Sequence, residues 1–433
     1  RVLFRSVFND LKTKTEITDI NGFVTIDKFI GSEKIYVQHI SYHKISVLKS
    51  SIQDTIFLTP KATSLNEVVV SASKFQQSKK EVPQTIISID SKAIQFSNPQ
   101  TSADLLSNSG RVFVQKSQLG GGSPLIRGFS TNRLLITVDG VRLNNAIFRG
   151  GNVQNVLSIN PFNVENTEII LGSGSVIYGS DAIGGVMNFY TTTPKLSESK
   201  TPNLSARSTV RYASANTEKT AHLDFNVGFQ KWGFHTSASV SDFGDLKMGI
   251  HGPDDYLSLF YNQQTNAGDV MVSNTTPRIQ KFTNFRQIHL AQKVLFKASD
   301  DLKFDLGIQY STTSDYPRYD RLATHDSEGV LRYAEWNYGP QEWLLANIQM
   351  TKLSSRSNLY DKIKVSAAYQ NFKESRINRR FNANTRKIRE ENVDAISLNF
   401  DFYKTLSTKS NISYGTEYIY NKVGSAGHSE NIR

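Results

Sequence analysis

The chain has 433 residues, a formal net charge of +11 and no cysteine. The lack of cysteine excludes disulfides, thiolate metal sites and cysteine nucleophiles within it. No stretch reaches the roughly 18 consecutive apolar residues of a membrane helix, and the scattered lysines and arginines carry no nucleic-acid-binding motif, which disfavours such a partner.

The first 62 residues alternate short β-rich stretches with turns, as in "EITDINGFVTI" and "KIYVQHISY". Asn21-Gly22 lies between two such stretches and predicts a hairpin, because both residue types accept the positive φ of a type I′ turn. We therefore expect part of a small β-sandwich over residues 1–62, truncated at its amino end.

Three consecutive valines stand out in "LNEVVVSASKF", residues 65–75. Such a run favours a β-strand, but its flanks are polar and no partner strand is adjacent in sequence. Two interpretations remain open from the pattern: a strand left unpaired for another protein, or an edge strand of the preceding sandwich.

Residues 76–195 mix short strands with glycine-rich turns. "SADLLSNS" predicts a short helix that starts near Ser102, and "LLITVDGVRLN" predicts a strand, an Asp-Gly turn and a returning strand. The glycine density around "YGSDAIGGVMNF" indicates close backbone packing, at Gly184 and Gly185 in particular. We expect a compact α+β domain, and "QLGGGSPLIRG" lacks the Gly-Lys-Ser/Thr ending of a nucleotide-binding loop.

From residue 196 onward, apolar and polar residues alternate with a period of two. In one example Leu223, Phe225 and Val227 alternate with Asp224 and Asn226. This pattern predicts about nine strands, near residues 204–213, 221–229, 232–243, 282–297, 302–310, 343–352, 361–372, 395–403 and 411–420.

The alternation fits either a soluble core or a barrel that faces lipid outward. Loop lengths favour the barrel, because tight turns at 230–233 and 297–301 alternate with long polar loops at 244–281 and 314–340. Aromatic residues also gather at strand ends, as in membrane-interface girdles. The expected fold class is mostly β, with an N-terminal sandwich remnant, an α+β domain and the first part of an antiparallel transmembrane β-barrel.

Taken in this order, the chain resembles a TonB-dependent outer-membrane receptor of the Bacteroidota type. "EVVVSASK" resembles the TonB box, and "IRGFSTNRLLITVDGVRLN" and "VENTEIILGSGSVIYGSDAIGGVMNFYT" resemble the two signature blocks of the plug domain. The first 60 residues resemble a carboxypeptidase-regulatory-like domain. The resemblance implies that domain at 1–62, TonB box and linker at 63–75, plug at 76–195, and a C-terminally truncated barrel at 196–433.

The resemblance also implies a function: active import of a scarce solute, such as haem, siderophore-bound iron or a corrinoid, across the bacterial outer membrane. The implied partners are a TonB-like periplasmic protein, outer-membrane lipid and the small-molecule ligand, with no resident cofactor. The TonB box would be gripped through added β-pairing, and Arg127 of "IRG" would form a buried ion pair that latches the plug to the barrel. The box comprises Glu67, Val68, Val69, Val70, Ser71 and Ala72.

Candidate ligand-binding residues lie in the two long loops: His251, His325, Tyr316, Arg318 and Tyr319. A loop histidine can ligate haem iron, although surface histidines without such a role are commoner. No catalytic motif or metal-ligand spacing is present, so we expect no enzyme activity and no metal site. Alternative functions are an outer-membrane receptor in a glycan or peptide uptake complex, and a surface-binding barrel that uses no energy.

Overall fold

The structure is a computed structural model that describes residues 6–19, 21–39, 42–59, 68–70, 73–116, 118–143, 146–147, 155–407 and 410–432. It divides into two compact units, residues 1–67 and 68–433. Within the described part of the chain, no helix is both long and apolar enough to cross a lipid bilayer.

The first unit contains one antiparallel sheet in the order β2-β1-β3-β4. Val7, Phe29, Ile35 and Val37 form its buried core. Its strands are β1 (Ser6–Asn9), β2 (Thr15–Ile17), β3 (Lys34–His39) and β4 (Tyr42–Leu48).

The predicted hairpin at Asn21-Gly22 is only partly correct. A turn is present, with Gly22 at φ +83°, but β2 ends at Ile17 before it and residues 23–30 after it form no strand. The carboxylate of Asp19 accepts the backbone N–H groups of Asn21 and Phe23, both at 2.8 Å. This local side-chain pairing replaces the ladder of a hairpin.

The second unit begins with a domain that we call the plug (residues 68–195). Five of its strands form a sheet in the order β11-β10-β13-β12-β7. Its elements are β5 (Val68–Val69), β6 (Gln77–Ser78), β7 (Ile86–Asp90), α1 (Ser91–Ser97), α2 (Ser102–Asn108), β8 (Phe113–Gln115), β9 (Ser123–Leu125), β10 (Leu134–Val138), β11 (Val141–Arg142), β12 (Val164–Leu171), α3 (Ser175–Tyr178) and β13 (Gly185–Thr191).

Helix α2 confirms the prediction for "SADLLSNS". It starts at Ser102, and Thr101 precedes it as N-cap in a reciprocal capping box with Asp104. A capping box satisfies two backbone N–H groups that the first helical turn leaves unpaired, so the start of this short helix is fixed by its own sequence.

The remaining residues form a long antiparallel sheet that we call the wall. Its nine long strands follow each other in chain order. They are β14 (Asn203–Ala213), β15 (Glu218–Gly228), β16 (Trp232–Phe243), β21 (Phe285–Lys297), β22 (Leu302–Thr313), β24 (Tyr333–Leu353), β25 (Lys362–Arg380), β26 (Thr385–Ser407) and β27 (Ser410–Asn431). The loops between them contain the shorter elements β17 (Leu246–Lys247), β18 (Phe260–Thr265), β19 (Gly268–Ser273), β20 (Ile279–Gln280), β23 (Tyr316–Pro317) and α4 (Tyr319–Leu322).

Single turns of 3₁₀ helix join several of these elements. In the described residues they lie at Lys49–Ser51, Lys79–Glu81, Thr131–Arg133, Asn155–Ser158, Pro161–Asn163, Ser180–Ala182 and Asp254–Tyr256.

The wall buries polar side chains and exposes apolar ones, the reverse of a soluble sheet. The plug covers the face that carries His222, Ser239 and Gln287, each at most 7% exposed. The opposite face exposes Leu223, Phe225, Val240, Ile288, Leu290, Leu306, Ile308, Ile348, Ile396, Leu398 and Phe400. An alternating sheet with an apolar outer band and a polar interior is the pattern of a transmembrane barrel.

Candidate functional site at the interface of plug and wall

The two ends of the wall differ in their connections. At the tight-turn end, strands are joined by residues 229–231, 298–301 and 354–361. At the long-loop end, residues 244–284 and 314–332 form two long connections, and residues 214–217 and 381–384 form two short ones. Trp232 stacks on Phe296 at 4.2 Å between ring centroids, and Phe296 stacks on Phe304 at 6.3 Å. These rings form an aromatic cluster at the tight-turn end.

One part of the wall holds the plug through polar contacts. We call it the polar sector: the plug-facing residues of β15, β16 and β21. Asn160 donates to the Ser239 hydroxyl at 2.8 Å, and Gln287 donates to the carbonyl of Leu157 at 2.8 Å. Lys293 pairs with Asp139 of the plug at 3.1 Å.

Another part holds the plug through apolar packing. We call it the apolar sector, formed by the plug-facing residues Trp343, Leu345, Ala368, Phe372 and Val393 of β24, β25 and β26. These five side chains belong to the same buried cluster as the core of the plug, and each is at most 8% exposed. The hydrophobic core of the plug therefore continues into the wall on this side.

The predicted latch at Arg127 has no counterpart among the described residues and stays a prediction. Its side chain is exposed, and it makes no ion pair within the described residues. It lies at φ +49° in a tight turn, where Ile126 and Phe129 exchange both backbone hydrogen bonds at 2.9 and 3.0 Å. This turn leaves residue 127 exposed in the described structure.

Arg142 is the plug arginine that reaches the wall. Its guanidinium donates to Asp181 and to the carbonyl of Tyr178, both at 2.7 Å, and to Glu417 on β27 at 3.1 Å. Gln370 on β25 donates to its backbone carbonyl at 2.9 Å. The Asp-Gly turn before it, with Gly140 at φ +83°, brings β11 back along β10 and so places Arg142 at the interface.

The valine segment is paired, contrary to the interpretation of an unpaired strand. Val68 and Val69 form a short antiparallel pair with Ser78 and Gln77, and Val69 is fully buried. The backbone N–H of Val70 lies 3.1 Å from both carboxylate oxygens of Glu168. The partner is a strand of the plug, not the amino-terminal sheet, because a short return of the chain closes the pair locally.

Three residues of the predicted TonB box, Glu67, Ser71 and Ala72, lie outside the described residues.

The chain is anchored to the wall just after the valines. Lys74 pairs with Asp401 on β26 at 2.9 Å, with both side chains largely buried. Lys364 on β25 donates to the carbonyl of Lys74 at 2.9 Å, and Phe75 packs on Tyr403 at 5.7 Å between centroids. This anchor lies at the tight-turn end, close to residues 354–361.

Tyr316, one of the candidate ligand-binding residues, is buried in this structure, and its contact with a solute stays a prediction. It is 1% exposed and clusters with Leu119, Phe243, Phe285 and Tyr338. Its hydroxyl donates to Gln341 at 3.1 Å. A Cβ added at Gly120 of the plug would lie 3.0 Å from the Tyr316 Cβ, so this ring joins the long-loop end to the plug.

Arg318 and Tyr319 also anchor the loop. Arg318 binds Asp320 through two guanidinium nitrogens and stacks over Trp336 at 4.7 Å from the ring centroid. Tyr319 is half-buried in the short helix α4, and burial raises the pKa of its phenol above the ordinary value. The structure thus brings Tyr316 and Arg318 together through Tyr338, to which Arg318 donates at 3.3 Å.

His251 and His325 are exposed loop residues. The ring of His325 meets the edge of Phe260 at 6.4 Å. In the part of the chain that the structure describes, no cluster of three or more His, Cys, Asp or Glu side chains is arranged to hold a metal ion.

A buried ion-pair network that the sequence did not indicate joins two loops at the long-loop end. Arg379 on β25 binds both carboxylate oxygens of Asp269 in the β18–β19 hairpin, at 2.5 and 2.9 Å. Its Nε donates to Glu335, which also accepts from Arg386. Burial alone would raise the pKa of Asp269, but hydrogen bonds from Arg379 and the N–H of Asn382 outweigh it and lower that pKa.

The sequence carried weak signals for the residues that were missed. Arg142 follows an Asp-Gly turn within an otherwise apolar stretch, and Lys74 precedes a phenylalanine. Their partners, Glu417 and Asp401, are 275 and 327 residues away along the chain, a separation over which local patterns carry no pairing information.

Comparison with known proteins agrees with this architecture. Residues 78–186 match the family model of the TonB-dependent Receptor Plug Domain. The chain is 33% identical over 205 residues to the vitamin B12 transporter BtuB of Vibrio vulnificus (strain CMCP6), covering 46% of this chain and 33% of that protein. The curated relatives are thus matched over 33% and 38% of their own length.

Solved structures resemble the chain in fold. The copper transporter OprC superposes with a TM-score of 0.58 at 14% identity, covering 80% of this chain and 49% of the other. The haemophore receptor HasR of Serratia marcescens, solved with haem and its haemophore, gives 0.56 at 14% identity, covering 80% and 46%. At these identities the likeness concerns the fold alone.

The plug match, the apolar outer band and the polar face that holds the plug are found together on one chain. Residues 78–186 are therefore a TonB-dependent receptor plug domain, seated on a wall whose alternation is that of a transmembrane barrel.

Proposed function

We propose that the complete receptor imports a scarce solute through the outer membrane, with the plug as the movable stopper. The observation that carries this proposal is a plug seated on the polar face of a lipid-facing wall, with its amino-terminal segment at the tight-turn end. The solute class that we infer is haem, a siderophore–iron complex or a corrinoid. Proteins named as a vitamin B12 transporter, a haemophore receptor solved with haem and a ferric enterobactin receptor support this class.

The energy for import has to arrive mechanically, and we infer that a TonB-like periplasmic protein delivers it through residues 67–72. Added β-pairing relies on main-chain hydrogen bonds, so a valine segment is a suitable handle. In the described conformation that handle is held by two paired residues and by the contact between Val70 and Glu168. A partner strand that replaces β6 would free it at modest energetic cost.

The Lys74–Asp401 pair gives the pull a defined point of resistance. A buried pair stabilises little net, but breaking one costs roughly 3–5 kcal/mol. Tension on the valines therefore acts on this anchor as well as on the contact between Val70 and Glu168 of the plug sheet. The proposal assigns the chain no catalytic reaction.

The first test is import by a strain that lacks the chromosomal gene and carries the complete receptor on a plasmid. We expect uptake of cyanocobalamin, haemin or a ferric siderophore to depend on the receptor and to stop when a protonophore removes the proton-motive force. Uptake that persists without that force contradicts energised import and favours a passive surface-binding barrel. Loss of growth on a glycan or peptide source instead favours the uptake-complex alternative.

The second test concerns the handle. Val69→Pro removes a main-chain donor, and we expect it to abolish energised uptake while solute binding to whole cells persists. Val69→Ala keeps the donor and serves as control, with uptake retained. Normal uptake by Val69→Pro would show that residues 67–72 are not the handle.

A further inference from the structure

The plug is attached to the two sectors of the wall by different chemistry. In the polar sector, the contacts are hydrogen bonds such as Asn160–Ser239 and Gln287–Leu157, together with the Lys293–Asp139 pair. In the apolar sector, Trp343, Phe372 and Val393 continue the core of the plug. That side also has polar contacts: the Arg142–Glu417 and Lys74–Asp401 ion pairs and the hydrogen bond from Gln370 to the Arg142 carbonyl. The sectors differ because, within the described residues, the hydrophobic core of the plug continues into the wall in the apolar sector and not in the polar sector.

This difference determines which side separates under tension. A hydrogen bond between protein groups can be exchanged for one to water with little net change in free energy. An apolar contact has no such replacement, because water cannot compensate the exposed carbon surface. When the plug is pulled, water therefore enters between plug and wall in the polar sector first, while the contacts of the apolar sector remain intact.

The polar sector already contains unused hydrogen-bonding groups. The hydroxyl of Ser237 and the Nε2 atom of His235 have no hydrogen-bond partner in the described residues, although their side chains are only 2% and 3% exposed. Both lie on β16, two positions apart, on the plug-facing side. Such buried orphan groups are favourable positions for water or for the polar groups of a passing solute.

We propose that the passage for the solute opens along β15, β16 and β21, and that the apolar sector acts as the hinge on which the plug stays attached. The passage suits a hydrophilic solute whose donors and acceptors replace the plug at Ser237, Ser239 and Ser241. This inference rests on the proposed import function. It specifies the side of the plug on which transport occurs.

The test measures thiol accessibility in the complete receptor on living cells. These 433 residues contain no cysteine, so an introduced thiol is the sole one they carry. Ser237→Cys reports on the polar sector and Val393→Cys on the apolar sector; the wild-type residues are 2% and 1% exposed. Both changes are nearly isosteric, and Ser241→Cys with Ala395→Cys provides a second pair if either first variant assembles poorly.

Cells receive cyanocobalamin, haemin or a ferric hydroxamate, with or without protonophore, and are labelled with a charged maleimide. We expect labelling at Ser237→Cys to rise roughly tenfold or more in energised cells, because access to a buried thiol limits its reaction. Labelling at Val393→Cys should stay unchanged.

Equal increases at both positions would mean that the plug leaves as a whole, and an increase at Val393→Cys alone would reverse the assignment. No increase at either position during measured import would place the passage elsewhere. Each of these outcomes overturns the inference. Failure of the proposed function has a different signature: the unmodified receptor then imports none of the three compounds in an energy-dependent way.

Discussion

At the scale of single residues, the position of an arginine relative to a turn decides whether its side chain contacts the wall or is exposed. Arg127 and Arg142 both lie in the signature block of the plug, but the first sits at the exposed corner of a tight turn and the second on a strand against the wall. Residue type alone did not separate them, because the choice depends on the backbone path on either side.

Arg142→Ala should therefore destabilise the seated plug strongly. It leaves Asp181 and Glu417 without their cation, and because both carboxylates are partly exposed we expect a loss of about 1–3 kcal/mol. Thermal unfolding and limited proteolysis of the plug in the purified receptor measure the loss. Arg127→Ala is the control, with a change within about 0.5 kcal/mol; equal effects of the two substitutions would contradict this assignment.

Gly185 provides a second prediction at this scale. A Cβ at Gly185 would lie 2.8 Å from the carbonyl oxygen of Ile170 on the neighbouring strand, and a backbone atom within a sheet cannot move aside. We expect Gly185→Ala to destabilise the plug by about 1–3 kcal/mol. Gly249→Ala, where no atom lies within 4 Å of the added carbon, should leave the unfolding temperature unchanged, and a neutral Gly185→Ala would refute the packing argument.

At the scale of elements, the wall strands were predictable because alternation is a local property. All nine predicted stretches coincide with long strands, although β24 to β27 extend well beyond their predicted ends. Those extensions project past the roughly 9–11 residues that cross a membrane, into loops where polar and charged residues obscure the alternation. Pairing of these extensions is decided by contacts between loops.

The β18–β19 hairpin shows such a contact. Asp269→Asn removes the carboxylate that Arg379 needs, and we expect the hairpin to open with roughly 100-fold faster hydrogen exchange, equivalent to about 3 kcal/mol. Asp255→Asn, in an exposed part of the same loop, is the control and should leave exchange unchanged. Unaltered protection in Asp269→Asn would show that other contacts hold the hairpin.

The pH dependence of this contact follows from the lowered pKa of Asp269. A carboxyl group with a lower pKa in the folded state stabilises that state above its unfolded pKa of about 4. The stabilisation is lost as the pH falls through the lowered folded value. Hydrogen exchange of the hairpin should therefore show no loss of protection attributable to Asp269 between pH 5 and 8, the near-neutral range, with protection decreasing in stronger acid.

At the scale of the whole molecule, the effect of a substitution on stability depends on whether that face of the wall contacts lipid or water. Leu290 is 49% exposed in the middle of β21, where a soluble protein would tolerate a charge. On a lipid-facing strand, we expect Leu290→Arg to destabilise the folded receptor by about 2–4 kcal/mol. Ile250→Arg, in an exposed loop, is the matched control. Unfolding in lipid vesicles measures both, and a neutral Leu290→Arg would contradict the lipid-facing assignment.

The sequence by itself determined the number of long wall strands and the helix start at Ser102, because alternation and capping act over a few residues. The tertiary structure alone decided that Arg142 contacts the wall, that Val69 is buried, and that Tyr316 packs against the plug. Each of these outcomes depends on contacts between residues that are far apart in the sequence, and a local sequence pattern does not indicate which distant residues will be in contact.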